Sequence, residues 1–120
     1  MYLLTIPYQG GNDLVKRARF KAACDMVHQY DGDIFCPVIY EHTLKEVNGE
    51  ADIKKLYKTF MKIAEGLMVY KLPGWETDLN IQEMINFFSL TNQPVIYLEP
   101  LQEHMCGSYL EVWNKFLGRK

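Results

Sequence analysis

Short apolar runs that alternate with longer amphipathic stretches restrict the fold of this chain more than any other feature. Each run is long enough for one buried strand, and the runs are Tyr2–Ile6, Ile34–Cys36, Leu67–Tyr70 and Val95–Leu98. Strands joined through helices need crossover connections, which are right-handed and make neighbouring strands parallel. We therefore predict an α/β fold with a four- or five-stranded parallel sheet and helices on both of its faces.

The stretches between these runs carry helix signals. Asn12 or Asp13 can cap a first helix, and a second helix is expected over residues 51–65. Ser108 and Glu111 match a capping box at the start of a last helix. The residues expected to form the apolar faces are Phe20, Ala23, Cys24 and Val27 in the first helix, Ile53, Leu56, Tyr57, Phe60, Ile63 and Ala64 in the second, Leu79, Met84, Ile85, Phe87 and Phe88 in the third, and Leu110, Trp113 and Leu117 in the last.

Composition indicates one domain over residues 1–120, since 120 residues with 48% hydrophobic content suit a single core. The formal net charge of -2 gives no basic field for a nucleic-acid backbone, so a polymeric nucleic acid is not expected as a partner. Three cysteines without a CxxC pair predict a reducing, cytoplasmic location. No basic leader or membrane-length apolar segment occurs at the amino terminus, so neither export nor membrane anchoring is expected.

The loop Lys71–Glu76 follows a predicted buried strand and precedes a predicted helix. In a parallel sheet, ligands bind at the carboxyl ends of the strands, so this loop is the first place to look for a site. Pro73 and Gly74 favour a sharp turn, and Trp75 offers a flat ring on which a nucleobase or sugar can stack. The alternative interpretation is that Trp75 closes the core.

Five segments, in this order along the chain, resemble a small family of the nucleoside 2-deoxyribosyltransferase superfamily, which also includes the 2'-deoxynucleoside 5'-monophosphate N-glycosidases. The segments are Tyr2–Tyr8, Ala18–Phe20, Pro37–His42, Lys71–Glu76 and Gln93–Leu98. The resemblance implies a flavodoxin-like, single-domain three-layer sandwich, a homodimer or larger oligomer, and a glutamate nucleophile in the helix after the third or fourth strand. That position matches Glu83 here.

Glu83 also suits this chemistry on general grounds. Cleavage of an N-glycosidic bond passes through an oxocarbenium-like transition state, which a carboxylate beneath the anomeric carbon stabilises or captures as a glycosyl ester. Glu83 lies among apolar residues of a helix that starts beside the Trp75 loop. The alternative is an ordinary solvated helix carboxylate.

The other candidate substrate-binding residues surround the same predicted sheet edge. We expect Tyr8 and Trp75 to be walls of the site, Gly10, Gly11 and Thr77 to contact a phosphate or hydroxyl group, and His42 to be an auxiliary polar group. Alternatively, the two glycines form only a turn, and His42 is a surface residue in the loop that begins at Pro37. No metal is expected, because the histidines match no zinc spacing. No organic cofactor is expected, because the Gly10–Gly11 pair is not a GxGxxG motif and the chemistry needs none. Cys36, before Pro37, is interpreted as a core residue rather than a nucleophile.

Two departures from the family pattern bear on activity. Leu79 occupies the place of a glycine four residues before the nucleophile, and the stretch around Tyr57 has no acid where relatives carry an aspartate. Either Glu76 or Asp78 replaces that acid or the catalytic apparatus is incomplete. The expected function is therefore cleavage or transfer at the N-glycosidic bond of a 2'-deoxynucleoside or its 5'-monophosphate. The alternatives are a catalytically impaired nucleotide-binding protein, which senses or sequesters its ligand, and a purely structural or interaction protein.

Large apolar residues on the helices favour a homodimer. A helix on a small sheet needs one apolar stripe for the core, and adjacent large residues widen the apolar face beyond that stripe. These residues are Leu56, Tyr57, Phe60 and Met61, then Phe87 and Phe88, and finally Tyr109, Val112, Trp113 and Phe116. The alternative is that they compensate for a thin core.

Overall fold

Four parallel strands form one sheet in a computed structural model of the protein, which describes residues 1–8, 10–30, 33–40 and 55–118. The strand order is β2-β1-β3-β4, so the first strand lies inside the sheet and the chain crosses over between every pair of strands. The strands are β1 (Tyr2–Thr5), β2 (Ile34–Phe35), β3 (Gly66–Tyr70) and β4 (Val95–Leu98). The predicted parallel α/β sheet is confirmed.

Helices occupy the crossovers. They are α1 (Asp13–Gln29), α2 (residues 55–63 of the described chain), α3 (Leu79–Leu90) and α4 (Ser108–Phe116), with short 3-10 helices at Trp75–Thr77 and Gln102–His104. Residues 37–40 are also helical, although a loop was expected from Pro37 onward. Residues 41–54, which include His42 and Ile53, lie outside the described part of the chain.

The two central strands, β1 and β3, are almost completely buried because their side chains alternate between two core clusters. Leu4 and Tyr70 belong to the first cluster, together with residues of α1 and α4. Leu3, Leu67 and Val69 belong to the second cluster, together with residues of α3. Near-continuous burial explains why these strands read as unbroken apolar runs in the sequence.

The inward face of α1 differs from the predicted one. Asn12 caps the helix, and its side-chain oxygen accepts a hydrogen bond from the Val15 backbone N–H at 3.1 Å. Phe20, which was expected to face the core, is 41% exposed, whereas Arg19 is fully buried. The buried residues of α1 are Val15, Arg19, Ala22, Ala23 and Met26. The prediction was right for Ala23, which is fully buried, and for Val27, which packs against the first core cluster. It was wrong for Phe20 and missed Arg19, because it assigned the core face by hydrophobicity while Arg19 is buried through hydrogen bonds.

The start of α4 also corrects the sequence prediction. Gly107 is the cap residue, with a φ of 58°, and no side chain caps the helix. Ser108 is instead the first helical residue, so the predicted capping box is absent. The predicted core position of Trp113 is confirmed, since its ring is 1% exposed and its Nε1–H donates to the His104 carbonyl at 2.7 Å.

Several other residues that were assigned to apolar core faces prove to be exposed. Their side chains project from helix surfaces where no described element covers them. These residues are Ile63 at 65% exposure, Leu79 at 68%, Leu110 at 44% and Leu117 at 41%.

A buried polar chain joins the segment after β4 to the sheet and to α1. The Tyr70 hydroxyl accepts a hydrogen bond from the Leu101 N–H at 2.8 Å and lies 2.6 Å from His104 Nδ1. His104, 1% exposed, places Nε2 at 2.9 Å from Asp25 Oδ2. Burial is the main cause of the raised pKa of Tyr70, so its hydroxyl stays protonated at neutral pH. The two ring nitrogens of His104 thus connect the Tyr70 hydroxyl to the Asp25 carboxylate through two hydrogen bonds.

We expect Tyr70→Phe to lower the free energy of unfolding by about 2–4 kcal/mol, because it leaves the Leu101 N–H and His104 Nδ1 without partners in the core. Tyr97→Phe is the matched control, since Tyr97 is 47% exposed and should change stability by less than about 0.5 kcal/mol. Urea unfolding monitored by circular dichroism measures both. Equal stability of the two variants would contradict the role assigned to the Tyr70 hydroxyl.

Candidate functional site

The loops after β1 and β3 meet at the carboxyl edge of the sheet. The two strands are paired with Thr5 opposite Val69, so the chain leaves both strands at the same level. Tyr8, Gly10 and Gly11 follow β1, and Trp75 and Thr77 follow β3. Five of the predicted site residues therefore lie on adjacent loops at the edge where parallel sheets bind ligands.

The side chain of Arg19, on α1, connects these two loops through hydrogen bonds. Its guanidinium donates from Nη1 to the Gly10 carbonyl at 3.1 Å and from Nη2 to the Pro73 carbonyl at 3.2 Å. The side chain is fully buried and lies over the ring of Phe116, at 4.7 Å from the ring centroid. Burial lowers the pKa of Arg19, and the nearby Asp78 carboxylate opposes that shift. The planar fork of an arginine suits this task because it reaches two carbonyls at once.

Gly74 is required by the position of the guanidinium. A Cβ atom at this residue would lie 2.8 Å from Arg19 Nη2 and 3.0 Å from a ring carbon of Phe116, and the residue has a φ of 98°. Glycine alone satisfies both the close approach and the left-handed backbone at low cost. The Pro73–Gly74 turn predicted from the sequence is therefore a contact with α1 as well as a reversal of the chain.

Asp78 fixes the amino end of α3 to the loop after β1. The side chain is 3% exposed, and Oδ2 accepts from the Tyr8 N–H at 2.8 Å while Oδ1 accepts from the Ile81 N–H at 3.1 Å. The second bond is an N-cap of α3. The resemblance described above makes Asp78 a candidate for an acid that orients the sugar. Both of its oxygens bind backbone amides, so Asp78 acts on the loop and the helix rather than on a ligand.

Glu83 lies on the exposed side of α3 and lines a cavity of about 280 Å³ between α2 and α3. The cavity combines charged, hydrogen-bonding and apolar side chains. Its lining consists of Tyr57, Lys58, Met61, Asn80, Glu83 and Met84. Tyr57 thus faces the same cavity as Glu83. Leu79 is 68% exposed and is not among the described residues that line the cavity.

A second cavity of about 280 Å³ lies between the start of α1 and α4. It contains Gly11 and Asn12 together with Ser108, Glu111 and Lys115. Since Glu83 lines the first cavity and Gly11 the second, the structure does not bring these two predicted site residues into one pocket. Nothing in the local sequence signals this separation, because it depends on which helices pack beside each loop.

The remaining predicted residues have the following environments. Trp75 is half-buried against the second core cluster, with its ring centroid 5.8 Å from that of Tyr97 and 5.9 Å from Lys71 Nζ. Thr77 is exposed, and its hydroxyl donates to the Gly74 carbonyl at 3.3 Å. Tyr8 is half-buried. His42 lies outside the described residues.

Cys36 is a core residue. The thiol is 1% exposed, and burial raises its pKa to about 12, an effect that hydrogen bonds from the Val38 and Ile39 backbone partly oppose. A thiol that stays protonated at neutral pH is a poor nucleophile. Among the described residues, no group of three or more histidine, cysteine, aspartate or glutamate side chains is arranged to hold a metal ion.

No protein-family model matches this chain, and no curated protein matches it significantly. Within the described ranges, the helices are too short or too polar to cross a membrane. The site therefore has to be interpreted from its own geometry.

The sequence interpretation missed the structural roles of Arg19 and Asp78, and it did not single out the cavity residues Lys58 and Asn80 at all. Arg19 and Asp78 organise the edge loops through contacts between residues far apart in the chain, 54 residues for Arg19 with Pro73 and 70 for Asp78 with Tyr8. Lys58 and Asn80 line the Glu83 cavity. Asn80 had a usable signal, since it stands three residues before Glu83 and shares its helix face.

We expect Arg19→Met to lower the free energy of unfolding by about 2–4 kcal/mol, because the Gly10 and Pro73 carbonyls lose a charged donor while the side-chain volume is largely kept. Amide hydrogen exchange should accelerate in both edge loops. Arg17→Met is the control, since Arg17 is exposed on the same helix and should have little effect. Unchanged exchange in the two loops would contradict the role of Arg19.

We expect stability to decline between about pH 9 and pH 12 in part through Cys36. In the unfolded chain the thiol ionises near its ordinary pKa of 9.0, while the folded thiol stays protonated to about 12. The unfolded state is therefore favoured as pH rises through this window, by about 1.4 kcal/mol per pH unit for this group. Urea unfolding at several pH values should give a shallower decline for Cys36→Ala than for Cys106→Ala, which changes an exposed thiol. Identical slopes would contradict the assignment.

Proposed function

We propose that this protein cleaves or transfers the N-glycosidic bond of a 2'-deoxynucleoside or its 5'-monophosphate, with Glu83 as the nucleophile. The observation that supports this most directly is the position of Glu83 in a cavity with Tyr57 and Asn80, side chains able to hydrogen-bond a sugar or base. The helix that carries Glu83 begins at Asp78, which binds the loop after β1. The cavity therefore has a fixed relation to the carboxyl edge of the sheet.

We also propose membership of the nucleoside 2-deoxyribosyltransferase superfamily, with its flavodoxin-like, three-layer sandwich. The strand order β2-β1-β3-β4 agrees with the first four strands of the flavodoxin-like order 2-1-3-4-5. The two core clusters, one shared with α1 and α4 and the other with α3, are consistent with helical layers on either side of the sheet.

The proposed reaction balances without a cofactor. A carboxylate oxygen of Glu83 attacks the anomeric carbon, the carbon–nitrogen bond breaks, and its electron pair leaves with the base nitrogen, which takes up a proton. Water or a second base then attacks the same carbon, releases the sugar or the new nucleoside, and restores the Glu83 carboxylate as the attacking group loses a proton. In this scheme Tyr57 and Asn80 hydrogen-bond the sugar or the base, whereas Tyr8 and Trp75, which were expected as walls, are not among the described residues that line the Glu83 cavity.

A second candidate function is a nucleotide-binding protein that senses or sequesters its ligand without turning it over. One observation favours it: among the described residues, no hydrogen bond or ion pair orients Glu83. A nucleophile usually has a partner that fixes its orientation. Free base released from a deoxynucleoside or its monophosphate distinguishes the two functions, since only the enzyme produces it.

We further propose a cytoplasmic homodimer. The exposed residues that support a dimer differ from the residues that suggested one in the sequence. Phe88 and Trp113 belong to the core, with 0% and 1% exposure. Large apolar side chains are instead exposed elsewhere on α2 and α3: Ile63 at 65%, Leu79 at 68% and Leu90 at 84%. A two-fold contact through α2 and α3 would cover these residues and would border the Glu83 cavity.

We expect Glu83→Gln to keep the fold and to reduce base release by about a hundredfold or more, because the amide preserves shape but removes the negative charge that stabilises the oxocarbenium-like transition state. Glu103→Gln is the matched control, since Glu103 is an exposed carboxylate outside the described cavity lining. Chromatographic detection of free base measures both. Near-normal turnover by Glu83→Gln would refute the assigned nucleophile.

A further inference from the structure

Strand β4 lies at one edge of the sheet, and its outer side, which faces away from β3, has no neighbouring strand within the described ranges. An uncovered sheet edge can pair with another strand, and proteins usually protect such edges with very short strands, prolines or charges. The opposite edge has this protection, because β2 consists of two residues. Strand β4 has four residues, Val95–Leu98. The two edges of the sheet therefore differ in how readily they accept a further strand.

The backbone of β4 presents a regular row of hydrogen-bonding groups on its outer side. The Leu67 N–H donates to the Pro94 carbonyl at 2.9 Å, and the Lys71 N–H donates to the Leu98 carbonyl at 3.1 Å. Across a trans peptide bond the next N–H points away from the carbonyl, so the N–H groups that follow these two carbonyls point outward. With the alternation along a strand, the outward residues are Val95, Tyr97 and Glu99.

None of these three outward residues is a proline, so all of them keep a donor. Pro94 directs its carbonyl to β3, and its missing N–H therefore leaves the outer side intact. Among the described backbone hydrogen bonds outside the strand ladders, none involves Val95, Tyr97 or Glu99. The outer side of β4 thus has the donors and acceptors that an additional strand needs.

The side chains of β4 leave apolar surface uncovered on both faces of the sheet. Val69 of β3 is 0% exposed, whereas its partner in β4, Tyr97, is 47% exposed. Ile96, which alternates with Tyr97 and therefore lies on the opposite face, is 38% exposed. A strand added beside β4 would cover part of both side chains, so the edge offers apolar contacts as well as backbone hydrogen bonds.

We propose that the outer side of β4 binds β4 of a second copy of this chain, antiparallel and related by a two-fold axis at Tyr97. Tyr97 then lies opposite Tyr97 of the second copy, and Val95 lies opposite Glu99. The three outward residues of each strand form about six backbone hydrogen bonds across this contact, and the two sheets become one. This β4 contact uses none of the exposed residues that support a dimer through α2 and α3, and it goes beyond the N-glycosidic function.

Charge favours the antiparallel direction. Glu99 forms an ion pair with Lys71, and its side chain is 78% exposed. A parallel two-fold pair would place the Glu99 residues of the two copies side by side, about 5 Å apart, where like charges are destabilising. In the antiparallel pair they lie four residues apart along the strands, a distance of about 13 Å. That separation exceeds the screening length at physiological salt, which is about 8 Å.

Symmetry favours a second β4 over the other edge of the sheet as the partner. Pairing of β4 with β2 of another copy would involve only the two residues of β2. It would also leave one edge of each kind unpaired and could continue into an open filament. The β4 contact uses the same surface on both copies and closes after two chains.

Amide hydrogen exchange, followed residue by residue by NMR on the whole chain at about 500 µM, tests this contact. The N–H groups of Val95 and Glu99 should be protected at least about tenfold more in the wild-type protein than in Tyr97→Lys, which places two positive charges opposite each other at the axis. The N–H groups of Ile96 and Leu98 point to β3 and should be protected in both proteins. Only a strand added to β4 changes alternate residues in this way.

Three further variants serve as comparisons. Tyr97→Pro removes the N–H at the axis and should also abolish the protection of Val95 and Glu99, while the inward bonds to β3 remain. Tyr97→Phe keeps both the ring and the N–H and should retain the protection. Ile63→Lys changes an exposed apolar residue at the end of α2 and should retain it too, even if it disrupts a dimer through α2 and α3. Continued protection of Ile96 and Leu98 verifies that each variant is folded.

Sedimentation equilibrium of the same proteins gives an independent measurement. The contact is small, so the weight-average mass of the wild-type protein should rise with concentration between about 5 and 500 µM. At the highest concentration it should exceed that of Tyr97→Lys. A wild-type mass that stays at the 14.1 kDa of one chain would overturn the proposal. Unprotected Val95 and Glu99 amides in the wild-type protein, or equal protection in Tyr97→Lys, would overturn it as well.

Discussion

The buried guanidinium of Arg19 is the interaction on which the arrangement of the candidate site depends. It holds the carbonyls of Gly10 and Pro73, which belong to the two loops that leave the central strands. Moving a charged group out of water is costly unless its donors are satisfied, so a side chain buried in this way sets strict geometric demands on its surroundings. Gly74 meets one of these demands by leaving no Cβ atom in the path of Nη2. Arg19 and the two edge loops that it binds therefore form one fixed frame, in which the loops are held relative to each other and are not independent turns.

Helix α1 connects this frame to the rest of the first core cluster. Arg19 binds the edge loops, and six residues later Asp25 receives the hydrogen bond of His104, whose other nitrogen meets Tyr70 at the end of β3. Asp78 extends the frame to the other side by capping α3 while it binds the Tyr8 amide. Buried polar groups that are hydrogen-bonded impose a particular geometry more strictly than apolar contacts do. The start of α3, and with it the position of Glu83, is set by these bonds.

Local patterns in the sequence predict the strands well and the polar contacts poorly. The apolar run Val95–Leu98 coincides with β4 because Pro94 and Glu99 delimit it, and β1 and β3 differ from their predicted bounds by one residue. The inward face of α1 could not be predicted from hydrophobicity, since Arg19 is buried by partners far away in the chain. His104 and Asp25 are 79 residues apart, and no local pattern joins them. The prediction of a capping box at Ser108 was also wrong. Ser108 and Glu111 have the right residue types and spacing, but Gly107 rather than Ser108 is the cap residue of α4.

The candidate site divides its charged residues into two classes, and the division indicates where a ligand binds. Arg19, Asp78 and His104 are buried; Arg19 and Asp78 bind backbone groups and His104 binds the side chains of Tyr70 and Asp25, so their polar atoms serve the fold. Lys58 and Glu83 are exposed on one cavity and take part in none of the described ion pairs. Glu83 differs from these buried polar groups because it is exposed on the cavity between α2 and α3, where a ligand can reach it, and this is why the proposed chemistry is placed there rather than at the edge loops alone.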